Sequence, residues 1–295
     1  MKNYIVRGLA ANKNIRVFAA ITTDMVEKAR QIHNTTPVAT AALGRTITAS
    51  AIMGYMLKGD KNTLTLQIRG SNQIKSIVAV SNSKGNVKAY ISNPYIEVAL
   101  NEKGKLDVGG AIGKNGKLIV IKDLGLKEPY VGQSNLITGE IAEDIAAYYM
   151  YSEQQPSIVS LGVLLNTNCS VKSSGGFIIQ PLPDVGEDIL IKLEESIKNI
   201  PPISTMIDEG LTGEKILKNI LKDFDVEIIE KSEIDFVCDC SRKKIEKALI
   251  SLGEKELKDI IEEDGKAEIS CHFCNEKYFF NKGELIKLLS NAMND

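Results

Sequence analysis

Tryptophan is absent from this 295-residue chain, histidine occurs only at His33 and His272, and cysteine is limited to five positions. So little histidine leaves few options for imidazole-based acid–base catalysis, and no nucleophile–base or paired-carboxylate arrangement stands out. The opening residues, MKNYIVRGLAANKNIRVF, lack the apolar run of a signal peptide. No stretch approaches the ~20 consecutive apolar residues of a membrane span, so a cytoplasmic protein with no membrane partner is expected. Positive charge is not in excess either. Lys and Arg number 36 against 38 Asp and Glu, and with a pI near 5.9 there is no overall basic field to attract nucleic acid. A phosphate-binding loop is missing as well. GGAIGKNGKLIVIK has the wrong glycine spacing, no Ser or Thr after its lysine, and a strand rather than a helix behind it. It reads as a glycine-rich hairpin turn, and the chain as a non-enzyme.

What is present is ordinary globular material, 43% hydrophobic and 25% charged, arranged in three parts. Residues 1–181 mix strand and helix signals. NIRVFAAITT alternates Ile15, Val17, Ala19 and Ile21 on one face, the period of a half-buried strand, and TLTLQIRG does so with Leu64, Leu66 and Ile68. SIVAVSNSKGNVKAYISN predicts two strands joined by a turn at Ser83–Asn86, with Gly85 at positive φ. TDMVEKARQIH predicts a helix capped by its leading Thr or Asp. PVATAALGRTITASAIMGYMLK predicts one whose small residues pack closely on a sheet, and TGEIAEDIAAYYMYSEQ one capped by Thr138. The fold class is therefore α+β: a mixed α/β core domain with largely antiparallel sheets.

In residues 182–232 the strand period fades and short amphipathic helices carry Ile189, Leu193, Ile216 and Ile220 on their apolar faces. Helices this short are marginal alone and must lean on another element. Residues 233–295 form a third, small domain. Ser251 with Glu254 and Asn281 with Glu284 have capping-box spacing, and AEISCHFCNEKYFF predicts a hairpin whose turn holds two cysteines.

Those two, Cys271 and Cys274, have partners in FVCDCSRKK, at Cys238 and Cys240. Two chelating pairs of thiols in one short segment match the four soft ligands that a tetrahedral zinc ion takes, one ion per chain. Four unrelated buried thiols would not fall into two tight pairs. Cys169, in LLNTNCSVKSSGG, stands alone and reads as a small semi-buried residue; His272 reads as solvent-facing. A nucleic-acid-binding zinc finger is the natural competitor, but acidic residues outnumber basic ones from 233 to 295. SRKKIEK is more simply the solvated face of a helix. A constitutive scaffold with a structural zinc is the other alternative.

With these residues in view, the chain resembles the heat-shock protein 33 family, the redox-regulated 33-kDa chaperonins. The likeness rests on VATAALGRTITASAIMGYMLKGD, YISNP, LNEKGKLDVGGAIGK, IKDLGLKEPYVGQ, GEIAEDIAAYY and GGFIIQPLPD, followed by Cys-x-Cys and Cys-x-x-Cys. It implies an ATP-independent holdase that binds unfolding client proteins under oxidative stress. It further implies zinc on the reduced, inactive form, a homodimer in the active form, and hand-over of clients to an ATP-dependent chaperone system. Four cysteines allow three disulfide pairings; the resemblance implies Cys238–Cys240 and Cys271–Cys274 in the oxidised form.

Overall fold

The computed structural model describes residues 2–102, 104–183 and 185–292. In chain order the elements begin β1 (Tyr4–Ala10), β2 (Ile15–Ile21), α1 (Thr23–His33), α2 (Pro37–Tyr55), β3 (Thr63–Arg69), β4 (Ser76–Asn82) and β5 (Val87–Ile91). They continue with α3 (Val108–Ile112), β6 (Lys117–Asp123), β7 (Tyr130–Asn135), α4 (Ala142–Ser152), β8 (Ile158–Leu165) and β9 (Val171–Pro181). Then follow α5 (Glu187–Ile197), α6 (Ile203–Asp208), α7 (Gly213–Ile220), β10 (Glu227–Glu233), α8 (Arg242–Ile250) and α9 (Glu254–Glu263). The last are β11 (Lys266–Ser270), β12 (Lys277–Asn281) and α10 (Lys282–Ala292). The chain divides into two compact units, Met1–Val237 and Cys238–Asp295.

The first unit is built on two five-stranded sheets, ordered β10-β1-β2-β9-β8 and β5-β4-β3-β6-β7. Every strand pair in them is antiparallel, as the sequence led one to expect. Helix α2 packs against strands of both, and all its residues except Pro37 and Arg45 are buried. A helix apolar all round must be enclosed. Its hydroxyls are accommodated locally, Thr46 Oγ1 donating to Ala42 O (2.8 Å) and Thr48 Oγ1 to Gly44 O (2.9 Å). Strand β3 shows the expected alternation, with Leu64, Leu66 and Ile68 buried, and Gly85 turns the β4–β5 hairpin at φ 80°.

Other local expectations are corrected. Strand β2 is buried on both faces except at Arg16, because α2 covers one face of its sheet and α7 the other. The cap of α1 comes from a distant residue: Asn3 Oδ1 accepts from the backbone N–H of Asp24 (3.0 Å) and Met25 (3.2 Å). Thr138 does not cap α4. Instead the fully buried Asp144 accepts the N–H groups of Ile137, Thr138 and Ile141, fixing Ile141 at φ 76° before the first turn. The glycine-rich stretch read as a hairpin turn contributes the short helix α3 before β6. Residues 227–232, expected in the helical segment, form with Glu233 a strand, β10, at the edge of the first sheet.

Helices α5 to α7 lean on that same sheet. Leu193, Ile203, Met206, Ile207, Ile216, Leu217 and Ile220 share a core with Tyr4, Val6, Val17, Ala19, Phe177 and Ile179, and Ile189 packs at its margin. A separate, larger core surrounds α2. The second unit holds a small core of Leu249, Leu257, Ile261, Phe280, Leu285 and Leu288.

One ionic contact ties α1 to β9. Glu27 accepts from Arg30 Nε (2.8 Å) and Nη2 (2.7 Å), and from the backbone N–H of Val171 (2.9 Å). The Arg30 guanidinium, against the opposing push of burial and helped by the Val171 N–H, lowers the Glu27 carboxyl from 4.5 to about 2. A depressed carboxyl stabilises the fold above its unfolded pKa, and that stabilisation is lost as pH falls from 4.5 towards the folded value. Glu27→Gln should therefore lower unfolding free energy near neutral pH, by on the order of 1–3 kcal/mol. The gap to the parent in urea titrations should close as pH is lowered towards about 2. A gap that does not change with pH would show that the ionised carboxylate is not its source.

Candidate metal centre

Each thiol reaches the centre by its own local route. The hairpin β11–β12 pairs Lys266 with Asn281 through Ser270 with Lys277, and its ends are closed by a bond from the Cys271 N–H to Glu276 O (2.9 Å). Asn275, at φ 59°, donates its N–H back to Cys271 O (2.8 Å), so the Cys-x-x-Cys segment forms a tight knuckle. Cys238 and Cys240 lie in irregular chain just before α8, which Ser241 caps by accepting the Lys244 N–H. The second capping box of the sequence is present: Asn281 Oδ1 accepts the Glu284 N–H and Glu284 Oε2 accepts the Asn281 N–H, both at 3.0 Å. The first is not. Ser251 follows the end of α8 and donates to Ala248 O, while the residue that leads into α9 is Gly253, at φ 97°.

All four Sγ atoms lie within 4.8 Å of one another. Cys238 Sγ is 3.7 Å from Cys271 Sγ, and Cys240 Sγ is 3.3 Å from Cys274 Sγ. A tetrahedral ion with metal–sulfur bonds of about 2.3 Å sets its ligand sulfurs about 3.8 Å apart, so these distances fit one ion. All four residues are free thiols, Cys271 buried and the others half-buried. Burial raises the Cys238 and Cys274 thiols. It pushes Cys240 up as well, but hydrogen bonds from Tyr278 and the neighbouring sulfurs outweigh it and leave that thiol lowered. The spacing of the four cysteines allows them to hold a metal ion.

Two supporting residues escaped the sequence reading. Tyr278 Oη donates to Cys240 Sγ at 3.2 Å; only the strand alternation that turns Tyr278 and Phe280 to the same side hinted at it. Arg242, read as part of a solvated helix face, ties the first cysteine arm to the hairpin. It donates to Phe279 O (3.0 Å) and Glu284 Oε1 (2.8 Å), with its guanidinium 4.3 Å from the Phe280 ring centre. Cys169 lies outside the cluster. It is exposed rather than semi-buried, on a turn where its φ is 64°. His272 is exposed beside Cys271 and is not one of the four ligands placed together.

Fold and cluster together define an antiparallel α+β domain followed by a small four-thiol module. The Hsp33 protein family model matches residues 3–281. The 33 kDa chaperonin of Alkaliphilus oremlandii is 52% identical over 294 residues, covering 100% of this chain and 98% of that protein. That of Alkaliphilus metalliredigens is 51% identical over 289 residues, covering 98% and 99%. The crystal structure of the Thermotoga maritima 33 kDa chaperonin superposes with a TM-score of 0.91 at 39% identity, over 100% of both chains. The chain belongs to the Hsp33 family and is a chaperone, a class of protein that binds unfolded clients.

Hydrogen bonds to ligand atoms tune metal sites, and their loss typically costs 10–100-fold in affinity. Tyr278→Phe keeps all four thiols but removes the donor to Cys240. Its metal affinity, measured by competition with a chromogenic chelator, should fall by about tenfold. Unchanged affinity would remove Tyr278 from the site.

Proposed function

We propose that the chain is a redox-regulated, ATP-independent holdase, inactive while Cys238, Cys240, Cys271 and Cys274 hold zinc and activated when they are oxidised. The observation that carries this is the convergence of four sulfurs within 4.8 Å in a module whose own apolar core is small. Zinc bound there would cross-link the two cysteine arms, contributing on the order of 10–16 kcal/mol in small modules of this kind. That rivals the whole stability of an ordinary domain, about 5–15 kcal/mol.

The chemistry of switching belongs to the sulfurs. A thiolate gives an electron pair to a peroxide oxygen, the O–O bond breaks, hydroxide leaves, and a sulfenic acid remains. A second thiol then attacks that sulfur and water leaves, forming a disulfide and withdrawing two of the four ligands. The neighbour pairing, Cys238–Cys240 and Cys271–Cys274, closes the shortest loops and leaves the arms free to separate. The shortest sulfur contacts run between the arms; a bond formed there would tie them together and oppose unfolding. Neighbour pairing therefore rests on the need for release and on the family, not on proximity.

Functionally the chain falls into a core domain (1–181), a linker (182–232) and a switch domain (233–295). Residues 234–237 tie the start of the switch domain to the core domain, because Ile234 and Phe236 are buried in the α2 core shortly before Cys238. The active form would act as a homodimer in the cytoplasm and pass clients to an ATP-dependent chaperone system.

Zinc content and suppression of client aggregation, measured together before and after peroxide with mild heating, test the proposal. The reduced protein should carry one zinc and be inactive, and the oxidised protein zinc-free and active, with no response to ATP or apyrase. Ser at any of the four positions should lower zinc affinity, whereas Cys169→Ser should be silent. Activity indifferent to peroxide would support a constitutive scaffold instead, and non-reducing peptide mapping that shows cross-arm bonds in the active form would overturn the pairing.

A further inference from the structure

The first sheet ends on one side in a strand that is attached weakly and in an unusual way. None of the seven residues of β10 is buried. Its side-chain ties to β1 and its surroundings are mostly surface pairs: Arg7 Nε–Glu230 Oε2 (2.7 Å), Lys2 Nζ–Glu233 Oε1 (2.9 Å) and Lys231 Nζ–Glu214 Oε1 (2.8 Å). Exposed pairs of this kind contribute little. Beyond these pairs, Ser232 Oγ meets Tyr55 Oη at 2.9 Å, Lys231 Nζ lies 3.9 Å from the Tyr4 ring centre and Ile228 packs at the margin of the α5–α7 core. The main-chain ladder itself is interrupted. The register shifts between Arg7 and Gly8, leaving Ile229 without a partner on β1. Gly8 makes that bulge possible. A Cβ there would lie 2.4 Å from Glu227 O, and the three nearest atoms all belong to Glu227 and Ile228 of β10.

Strand β1 is the opposite case. Ile5 is buried in the α2 core, and Tyr4, Val6 and Ala10 are buried in the core beneath α5 to α7. It stays in place through its pairing with β2 over all seven residues, whatever happens to β10. If β10 leaves, β1 presents a row of N–H and C=O groups beside buried side chains, and such an edge is a template for another extended chain.

We propose that the β1 edge is a docking surface for an extended segment of a non-native client, and that β10 is the chain's own occupant of it in the resting state. This rests on the chaperone reading above. Main-chain pairing gives affinity without demanding a particular sequence, the recognition that diverse unfolded clients require. Strand β10 shows what the edge accepts: a largely polar segment, EIIEKSE, whose residues are alternately exposed and half-buried, in antiparallel register. Among the described residues no further strand lies beside the opposite edge, β8, so that edge does not account for a gated activity. Release would begin at the C-terminal end of β10, where Phe236 precedes Cys238 by two residues and Val87 bonds both to Asp235 and to Val237.

Hydrogen exchange of residues 4–10 tests this in the full chain under three conditions: reduced with zinc, oxidised, and oxidised with a reduced, carboxymethylated protein that cannot refold. Among these residues, exchange at the alternate amides that face β10 should be slow in the first condition, faster by about tenfold or more in the second, and slow again in the third, while amides bonded to β2 stay protected throughout. An aggregation assay on the same samples reports the chaperone reading separately. Active protein whose β10-facing amides stay protected throughout, or stay fast with client bound, would overturn the edge proposal while leaving the holdase intact. Re-protection by a second copy at high protein concentration without client would overturn it in favour of self-association. Gly8→Ala should accelerate exchange in β1 of the reduced protein while β2 and β9 keep their protection; unaltered exchange in β1 would also count against it. The parent protein's three conditions decide the matter even if that variant fails to fold.

Discussion

The second unit cannot be held together by its apolar core alone. Among its described residues only Leu249, Leu257, Ile261, Phe280, Leu285 and Leu288 form buried apolar packing, and several helix faces around them remain exposed. Chains of this size bury too small a fraction of their surface to be more than marginally stable without a staple. The four sulfurs are placed where a staple would act, joining the arm at Cys238–Cys240 to the knuckle of the hairpin. Arg242 reinforces the same junction through its bonds to Phe279 and Glu284. Anything that occupies the sulfurs differently changes the balance of the whole module, because little else opposes its chain entropy.

The first unit is constructed on the opposite principle. Helix α2 is enclosed by strands of two sheets, and its core includes residues from Ile5 to Phe236. Its polar atoms are largely satisfied within it, as where Thr22 Oγ1 meets Thr48 Oγ1 at 2.7 Å and Ser174 Oγ at 3.1 Å. The helices α5 to α7 and the strand β10 are added to this body from outside. They bury one face of a sheet whose other face is already secured by α2. A segment of that kind opens at lower cost than the core beneath it, since local stability follows local burial.

Much of this was legible in the sequence wherever a pattern is local. The alternation of Leu64, Leu66 and Ile68, the positive φ of Gly85, the Asn281–Glu284 capping box and the two cysteine pairs each depend on residues a few positions apart. Readings failed where the partner was distant or where two local signals competed. Asn3 caps α1 from twenty residues away, and no spacing rule connects them. Asp144 displaced Thr138 as the organiser of α4 because one carboxylate accepts three N–H groups where a hydroxyl would accept fewer. Strand β10 was hidden because VEIIEKSE carries charges at the spacing of a helix surface; only the vacant edge of β1, set by tertiary structure, makes it a strand. Tyr278 and Arg242 look like ordinary strand and helix residues until the thiols are in place around them.

Chain order links the two principles. The segment added from outside lies between the permanent core and the thiols, so it is anchored at both ends by elements of unequal durability. At its start is β9, an interior strand of the sheet paired on both sides. At its end Ile234 and Phe236 are buried in the α2 core, held in part by Val87 and its bonds to Asp235 and Val237. Two buried apolar side chains contribute about 2–3 kcal/mol each when fully removed from water, a modest anchor beside the cost of ordering the chain that follows. While residues 238–295 are folded, that cost is met within their own module and the anchor has only to hold itself. Were they to become disordered, the exit point at Val237 would become the start of a long mobile chain, and fraying would move inward from it. The first elements it would reach are Phe236, Ile234 and then β10, so a strand with no buried residue is next in line to leave.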